Sequence, residues 1–346
     1  MMKQLRWGIL GTGAIAEAFA FGLEASETGK LVAVGSRTME SAQKFAKPRG
    51  VDACHGSYED LLADKSVEIV YIANPHPFHA EWAIKAALAG KHVLCEKPLA
   101  MTTGQGSTMI EAARANHVYL SEAFMYRFHP QIAKLVELIR DEVIGEIRMI
   151  QAHFGFNVGD GFNPQNRLFN KELGGGSIMD VGCYAVSAVR LVAGAAIGKP
   201  FDNPASIVGS GHVGETGVDE WAAAILQFHS GITAQVSAAS RVGLGDLLEV
   251  QGSRGKISLP NPFAYNRTRS DTGKIVVKTH DSEIIYEIPA SSTSFTLEAD
   301  GVARAITSSR QEPDPPAMTW ADSMGNLAVL EEWRRQVGVA YKEDEQ

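Results

Sequence analysis

Residues 174 to 184 read Gly-Gly-Gly-Ser-Ile-Met-Asp-Val-Gly-Cys-Tyr, three consecutive glycines, then an acid, then a phenol four positions further on. On a helix Asp180 and Tyr184 stand at i and i+4, share one face and can converge on one ligand. A carboxylate and a phenol meeting there suit proton transfer to or from an oxygen. The glycines admit two readings, a second phosphate-cradling loop or a close backbone approach that delivers Asp180 and Tyr184 into a site completed elsewhere. Asp180 as an exposed helix cap is the purely structural alternative.

A second constellation opens the chain. Gly11-Thr12-Gly13-Ala14-Ile15-Ala16 directly follows a predicted strand, Leu5 to Leu10, and opens a predicted helix. Gly11 permits a tight turn, Gly13 lets backbone approach a pyrophosphate, and Ala16 allows close helix packing. Gly11, Gly13, Ala14 and Ile15 are therefore assigned to a dinucleotide. The next predicted strand, Leu31 to Gly35, ends in Ser36 and Arg37, where an NAD site would carry an acid for the ribose 2′-hydroxyl. A hydroxyl with a guanidinium suits a 2′-phosphate, so NADP is the expected cofactor, with NAD open as a second and a solvated Arg37 as the bland reading. The predicted strand His92 to Cys95 runs into Glu96-Lys97-Pro98. Its carboxyl end shares a sheet edge with the glycine loop, the edge on which open α/β sheets bind ligands.

These residues need elements to hold them. Over the first 125 positions short β-branched runs alternate with alanine-rich stretches, which predicts βαβ units: strands Leu5 to Leu10, Leu31 to Gly35, Glu68 to Ala73, His92 to Cys95 and Val118 to Glu122, with helices over His79 to Ala89 and Gln105 to Ala115. After Pro130 one helix, Ile132 to Arg140, precedes the glycine-rich region. Strands then follow at Glu220 to Phe228, Ile232 to Ala238, Lys274 to Thr279 and Glu283 to Ile288, which predicts a mostly antiparallel sheet. Phe295, Ala299, Val302 and Ile306 share one helical face, and Leu327, Leu330, Trp333 and Val337 another. The tail Lys342 to Gln346 reads as disordered.

A net charge of -8 with no basic block argues against nucleic acid and anionic membrane as partners. No signal segment precedes Leu5 and no apolar run approaches membrane-spanning length, so the cytoplasm is expected. Cys54, Cys95 and Cys183 lack metal spacing, and His76 and His79 lack a third ligand, so no metal is expected.

Taken together, GTGAIA, the Ser36-Arg37 pair, NPHPFHAEWAIKAALAGKHVLCEKPLA from 74 to 100, EAFMYRFHPQ from 122 to 131 and GGGSIMDVGCY resemble the Gfo/Idh/MocA oxidoreductases over nearly the full length. The resemblance implies an α/β protein: a Rossmann dinucleotide-binding domain, residues 1–124, and a substrate-binding α+β domain on an open, mostly antiparallel sheet, residues 125–346. It implies a homodimer or homotetramer joined through that sheet. It places Asn74, His79, Glu96, Lys97 and Arg167 beside the cofactor, and Lys97, Asp180 and Tyr184 at the nicotinamide, so that the glycines mark close backbone approach. Glu122, Tyr126, Arg127, His129 and Arg167 either line the substrate pocket or bond across the domains.

The implied reaction moves a hydride between the nicotinamide and a hydroxyl or carbonyl carbon of a sugar or cyclic polyol. NADP-linked aldose dehydrogenases of the D-xylose type and dihydrodiol dehydrogenases are most similar. Keto-sugar reduction, a non-catalytic NADP sensor and a dinucleotide-using hydrolase are the alternatives. In this mechanism Tyr184 carries the proton, Lys97 stands beside it, and Asp180 orients the substrate or the tyrosine. Lowering a phenol from ~10 to neutrality takes roughly 4 kcal/mol. A contact ion pair with an ammonium supplies on the order of 4 kcal/mol at an effective dielectric of about 20.

Overall fold

The computed structural model describes residues 4–263 and 272–345. The first half is a parallel sheet of β1 (Leu5–Leu10), β2 (Gly29–Gly35), β3 (Ala53–His55), β4 (Ile69–Ile72), β5 (His92–Glu96) and β6 (Leu120–Ala123), in the order β3-β2-β1-β4-β5-β6. Around it lie α1 (Ala14–Glu24), α2 (Met39–Ala46), α3 (Tyr58–Ala63), α4 (His79–Leu88) and α5 (Thr103–Ala115). The order reverses between β1 and β4, which opens a crevice at their carboxyl ends. Gly11 turns the chain there at φ +103°, and a Cβ on it would lie 3.1 Å from the carbonyl oxygen of Ala73. Only glycine fits that crossing. The strands expected from the sequence form within a residue or two of their bounds. β3 was not anticipated, because Ala-Cys-His carries neither alternation nor a β-branched residue.

After α6 (Pro130–Arg140) the chain builds a second sheet from β7 (Ile147–Asn157), β8 (Pro204–Val213), β9 (Asp219–Phe228), β10 (Thr233–Ala239), β11 (Arg241–Gly252), β12 (Gly255–Leu259), β13 (Thr272–Thr279) and β14 (Glu283–Pro289). Its order is β14-β13-β12-β11-β7-β10-β9-β8, with β7 and β10 parallel and the remaining neighbours antiparallel. The central strand β7 escaped the sequence reading, since Arg148 and Met149 both face outward and break the alternation. Helix α7 (Cys183–Ala196) covers one face of the sheet and is buried on every side except at its last residue. The run Lys171–Ala196 is long and apolar enough to cross a membrane, contrary to the sequence expectation, but its most apolar stretch is buried inside the protein. The other face is open: Val208 is 71% exposed and Trp221 and Ile225 about two-fifths.

The last two helices do not stay with the second sheet. Helix α8 (Ser294–Thr307) packs on α1, where a Cβ on Gly22 would sit 2.6 Å from Phe295 Cβ, and Thr296 Oγ1 donates to the Gly22 carbonyl at 2.7 Å. Helix α9 (Trp320–Val337) lies on α5, with Glu331 accepting from the Thr103 N–H at 2.7 Å. The Rossmann unit expected to end at 124 is therefore wrapped by helices from beyond residue 290.

The tail is ordered, contrary to expectation, as far as its last described residue, Glu345; Gln346 lies outside the described residues. Tyr341 donates to the Gly175 carbonyl, and the buried Arg334 donates to both carboxylate oxygens of Asp344 at 3.1 Å. Sequence composition missed this, since the anchoring partner sits on another element. Removing residues 341–346 leaves the Arg334 guanidinium with the Met101 carbonyl as its remaining described acceptor. Thermal unfolding of that truncation is expected to show a destabilisation of about 3 kcal/mol, the scale for stranding a buried charge. An unchanged midpoint would dismiss the tail as an anchor.

Candidate functional site

The glycine loop after β1 is built to accept an anion. Gly13 caps α1 without a side-chain hydrogen bond, and nothing stands within 4 Å of where its Cβ would be. The first-turn N–H groups, with Ala14 and Ile15 on that turn, thus face open space at the positive end of the helix. Across the crevice Ser36 is buried, its hydroxyl 3.2 Å from that of Thr12, and Arg37 is exposed immediately behind it. At the end of β4 both amide atoms of Asn74 are buried with no hydrogen-bond partner among the described residues. A buried amide rarely goes unpaired. A nucleotide carrying phosphates and polar ring substituents would satisfy the loop, the amide and the exposed guanidinium together.

His79 braces this edge. Its Nδ1 lies 2.9 Å from the Pro98 carbonyl and its Nε2 2.9 Å from that of Asn74, which ties the β4 loop to the segment after β5. Burial, and to a smaller extent Lys97, lower its pKa to about 4, while the two carbonyls pull the other way. The ring is neutral at pH 7, so one of those two contacts carries the proton. His76 reaches the Gly174 carbonyl at 3.0 Å. Both histidines of the HxxH are thereby engaged with backbone.

Lys97, at the end of β5, meets the residues of the opening stretch. Its Nζ donates to the Asp180 carbonyl at 2.5 Å and to Oδ1 of the same residue at 3.3 Å. Arg167, half exposed, donates to that Oδ1 at 3.1 Å. Burial pulls the Lys97 pKa down, but Asp180, then Cys183 and Glu96, outweigh it and hold it above the ordinary lysine value. Burial likewise pushes Asp180 up, yet Lys97, Arg167 and His76 bring its carboxyl well below the usual carboxylate range. The result is an ammonium and a carboxylate fixed as charges. Behind them Glu96 accepts from the Lys97 N–H at 3.1 Å and from the Tyr71 hydroxyl, and burial raises its pKa.

The glycine run is not a phosphate loop. The N–H groups of Gly174, Gly175 and Gly176 already donate to the carbonyls of Lys171, Asn170 and Leu168. A Cβ on Gly176, where φ is +118°, would lie 2.4 Å from Asp219 Oδ1. Asp219 in turn accepts from the Ser177 hydroxyl at 2.5 Å and the Ile178 N–H at 2.7 Å. This fixes the start of a π-helical turn, Ile178–Gly182, that leads into α7 and turns Asp180 toward Lys97. Close packing is what the glycines permit.

Tyr184 departs from the expectation. Lys97 Nζ sits over its ring, 5.1 Å from the centroid, while its hydroxyl turns away and donates to Met125 Sδ at 3.6 Å. Phe124, Tyr126, Phe154 and Phe263 pack around the ring at centroid distances of 5.1 to 5.9 Å. Burial above all, then Glu96, pushes the phenol well above its ordinary pKa. The ammonium therefore does not draw the phenol toward neutrality; it makes a cation–π contact with the ring face. Glu122, Tyr126, Arg127 and His129 are buried between the halves of the chain. Arg127 bonds to Ser187, to the Pro316 carbonyl and to Asp322. The hydrogen bonds of Tyr126 and Arg127 stay within the second domain, whereas Glu122 bonds across the boundary by accepting from the Ser323 hydroxyl.

Sequence reasoning missed Tyr71, Phe154 and Phe263, which surround the site without belonging to any motif. Only Phe154 had a signal, an aromatic on the covered face of a strand that was itself overlooked.

Comparison with known proteins follows the same division of the chain. Residues 5–124 match the family described as the oxidoreductase family with an NAD-binding Rossmann fold, and residues 132–258 match the GFO/IDH/MocA C-terminal domain. The chain is 32% identical to trans-1,2-dihydrobenzene-1,2-diol dehydrogenase of Xenopus laevis over 97% of its own length and 99% of that protein. It is 33% identical to D-xylose 1-dehydrogenase (NADP(+)) 2 of Haloferax volcanii over 87% of its length and 89% of that protein. Among solved structures, a 3-ketoreductase from Actinomadura kijaniata with NADP and TDP-benzene superposes with a TM-score of 0.83 at 26% identity, covering 98% and 99% of the two chains. An aldose-aldose oxidoreductase from Caulobacter crescentus with glycerol gives 0.83 at 25%, covering 96% and 97%. With both halves matched and identity above 30% along almost the whole length, the chain belongs to the Gfo/Idh/MocA family of oxidoreductases.

Proposed function

We propose that this protein is an NADP-dependent oxidoreductase acting on a hydroxyl or carbonyl carbon of a sugar or related cyclic polyol. The observation that carries the reading is the Lys97 ammonium, fixed by Asp180 at 3.3 Å on the sheet edge where the glycine loop and the unpaired Asn74 amide await a nucleotide. The dihydrodiol and D-xylose dehydrogenases and the aldose oxidoreductase among its relatives support the substrate class.

When bound, the nicotinamide supplies or accepts the hydride. The chain's own residues do the rest. Gly13, Ala14 and Ile15 offer backbone donors to the pyrophosphate, Ser36 and Arg37 hold the 2′-phosphate, and Asn74 pairs with a polar group of the nucleotide. Lys97 has three protons to give. Two are committed to Asp180, and the third is directed to the substrate oxygen, whose negative charge grows as a carbonyl carbon accepts the hydride. Tyr184 presents its ring to that ammonium and shapes the apolar wall. Asp180 holds Lys97 in place and accepts from a substrate hydroxyl.

A second reading, a keto-sugar reductase using NADPH, is favoured by one observation. Lys97 is held protonated beside the Tyr184 ring, a donor that suits delivery of a proton to a carbonyl. A nicotinamide-absorbance assay with NADP and then NADPH against aldoses, ketoses and dihydrodiols decides both direction and class. No absorbance change with any of them would favour a cofactor-binding sensor. Replacing Arg37 with alanine is expected to raise the KM for NADP about 10- to 100-fold, the scale of a charged hydrogen-bond pair, with little effect on NAD. Equal effects on both cofactors would remove Arg37 from the 2′-phosphate site.

The open face of the second sheet, with Val208, Trp221 and Ile225, is where this reading places a homodimer or homotetramer contact. Light scattering on the intact chain and on a Trp221→Glu variant tests that assembly.

A further inference from the structure

Glu122 lies on β6, 2% exposed, and takes no part in the chemistry above. Its Oε1 accepts from the Leu99 N–H at 2.8 Å and its Oε2 from the Ser323 hydroxyl at 2.5 Å. Leu99 stands two residues after Lys97, and Ser323 lies in the first turn of α9, a helix that arrives from the far end of the chain. The neighbouring Asp322 is fixed as firmly: Arg190 donates to it at 2.6 Å and Arg127 at 3.4 Å. The Lys97-Pro98-Leu99 segment has other supports in Glu96 and His79. Those supports belong to the first sheet and its own loops. Glu122 joins the segment to the first turn of α9, whose later turns hold the chain further on through Arg334 to the Met101 carbonyl and Glu331 to the Thr103 N–H.

We propose that Glu122 is a positioning residue for Lys97, holding the backbone after the lysine against α9 so that the ammonium keeps its place beside Asp180. The proposal rests on the reading of Lys97 as the group that faces substrate. It assigns no contact with substrate or cofactor to Glu122 itself.

Protonation enters through the same two bonds. An ionised Glu122 accepts from both partners; a protonated one still accepts from Leu99 but must donate toward Ser323, which reverses that hydroxyl. The groups facing it are Asp322 on α9, Arg190 and Cys183 on α7, and Cys95 on β5. Burial pushes its pKa up to about 7; Ser323, Leu99 and Arg190 oppose the rise and Asp322 adds to it.

Three variants of the full chain test this: Glu122→Ala, Glu122→Gln and Ser323→Ala. Misplacing a catalytic group by an ångström costs on the order of 100-fold, so Glu122→Ala is expected to lower kcat about 10- to 100-fold while the KM for NADP stays within a few-fold. Glu122→Gln, which can accept from Leu99 and donate to Ser323 as protonated Glu122 does, is expected to restore kcat to within a few-fold of wild type across the pH range. Ser323→Ala leaves the carboxylate in place and is expected to lower kcat several-fold. Were Glu122→Ala not to fold, the near-wild-type kcat of Glu122→Gln against the several-fold loss in Ser323→Ala would still decide the matter, with unchanged kcat in Ser323→Ala counting against it. Isotope-labelled lysine NMR, with Lys97 assigned from a Lys97→Met variant, reads the same effect without turnover. The Lys97 signal should shift in Glu122→Ala and return toward its original position in Glu122→Gln. A folded Glu122→Ala with wild-type kcat, pH profile and Lys97 signal would overturn the proposal. A wild type silent on every substrate, with the Lys97 signal moving as described, would overturn the enzymatic reading and leave the positioning role standing.

Discussion

Replacing Lys97 with methionine is expected to reduce turnover by roughly 10²–10³-fold, the loss found when one preorganised donor to a developing charge is removed, while NADP binding changes little. Methionine matches the aliphatic stem in length and keeps the contact with the Tyr184 ring, so what is deleted is the charge and the donor. The prediction follows from where the cofactor grip resides. Gly13, Ser36, Arg37 and Asn74 lie on other loops of the same sheet edge, and none of the described hydrogen bonds joins any of them to the Lys97 side chain. The loss should therefore fall on kcat, read under saturating NADP. NADPH fluorescence titration supplies the independent binding measurement. A variant that kept most of its turnover would move the proton to another group. Tyr184→Phe gives the contrasting case. Its hydroxyl faces Met125, so deleting that oxygen is expected to cost kcat only a few-fold, where a phenolate mechanism would demand a loss comparable to that of Lys97→Met.

This contrast also marks how far the sequence could be read. The glycine loop, the strand ends at Arg37 and Lys97 and the helix face bearing Asp180 and Tyr184 were all legible, because each rests on a local rule: a turn that needs glycine, a strand that ends, a helix period. What Tyr184 does with its two ends was not. Ring and hydroxyl face opposite ways, and the choice was made by Met125, Phe154 and Phe263, which lie on three other segments. The same limit applies to α8, α9 and the tail. Their amphipathic faces were visible, but nothing local says that Phe295 will close on Gly22 or that Arg334 will meet Asp344. β7 was lost for the opposite reason, since two consecutive outward residues hid a strand whose partners on both sides define it.

Replacing Asp180 with asparagine should have the second large effect, on stability and on the pH dependence of the reaction together. Asparagine keeps the shape and the backbone carbonyl that Lys97 already uses at 2.5 Å, but strands two cations that the carboxylate neutralised. Breaking a buried pair in this way costs about 3 kcal/mol, and denaturant unfolding at pH 7 measures it. The sign with pH is fixed by the two groups. The folded-state pKa of Asp180 lies below its unfolded value, so its contribution is present above about pH 4 and is lost as the pH falls through the folded value. The folded-state pKa of Lys97 lies above its unfolded value, so its contribution is present below about pH 10 and is lost as the pH rises through the folded value. The gap between wild type and Asp180→Asn should accordingly be widest between these limits and close toward low pH. In the reaction, loss of the carboxylate removes the largest influence raising Lys97 while the burial that lowers it stays. The alkaline limb of the kcat profile should then move to lower pH, by about one unit for each 1.4 kcal/mol of pairing lost. An alkaline limb that stayed in place, with the stability gap present, would mean that Asp180 holds the fold but does not set the charge on Lys97.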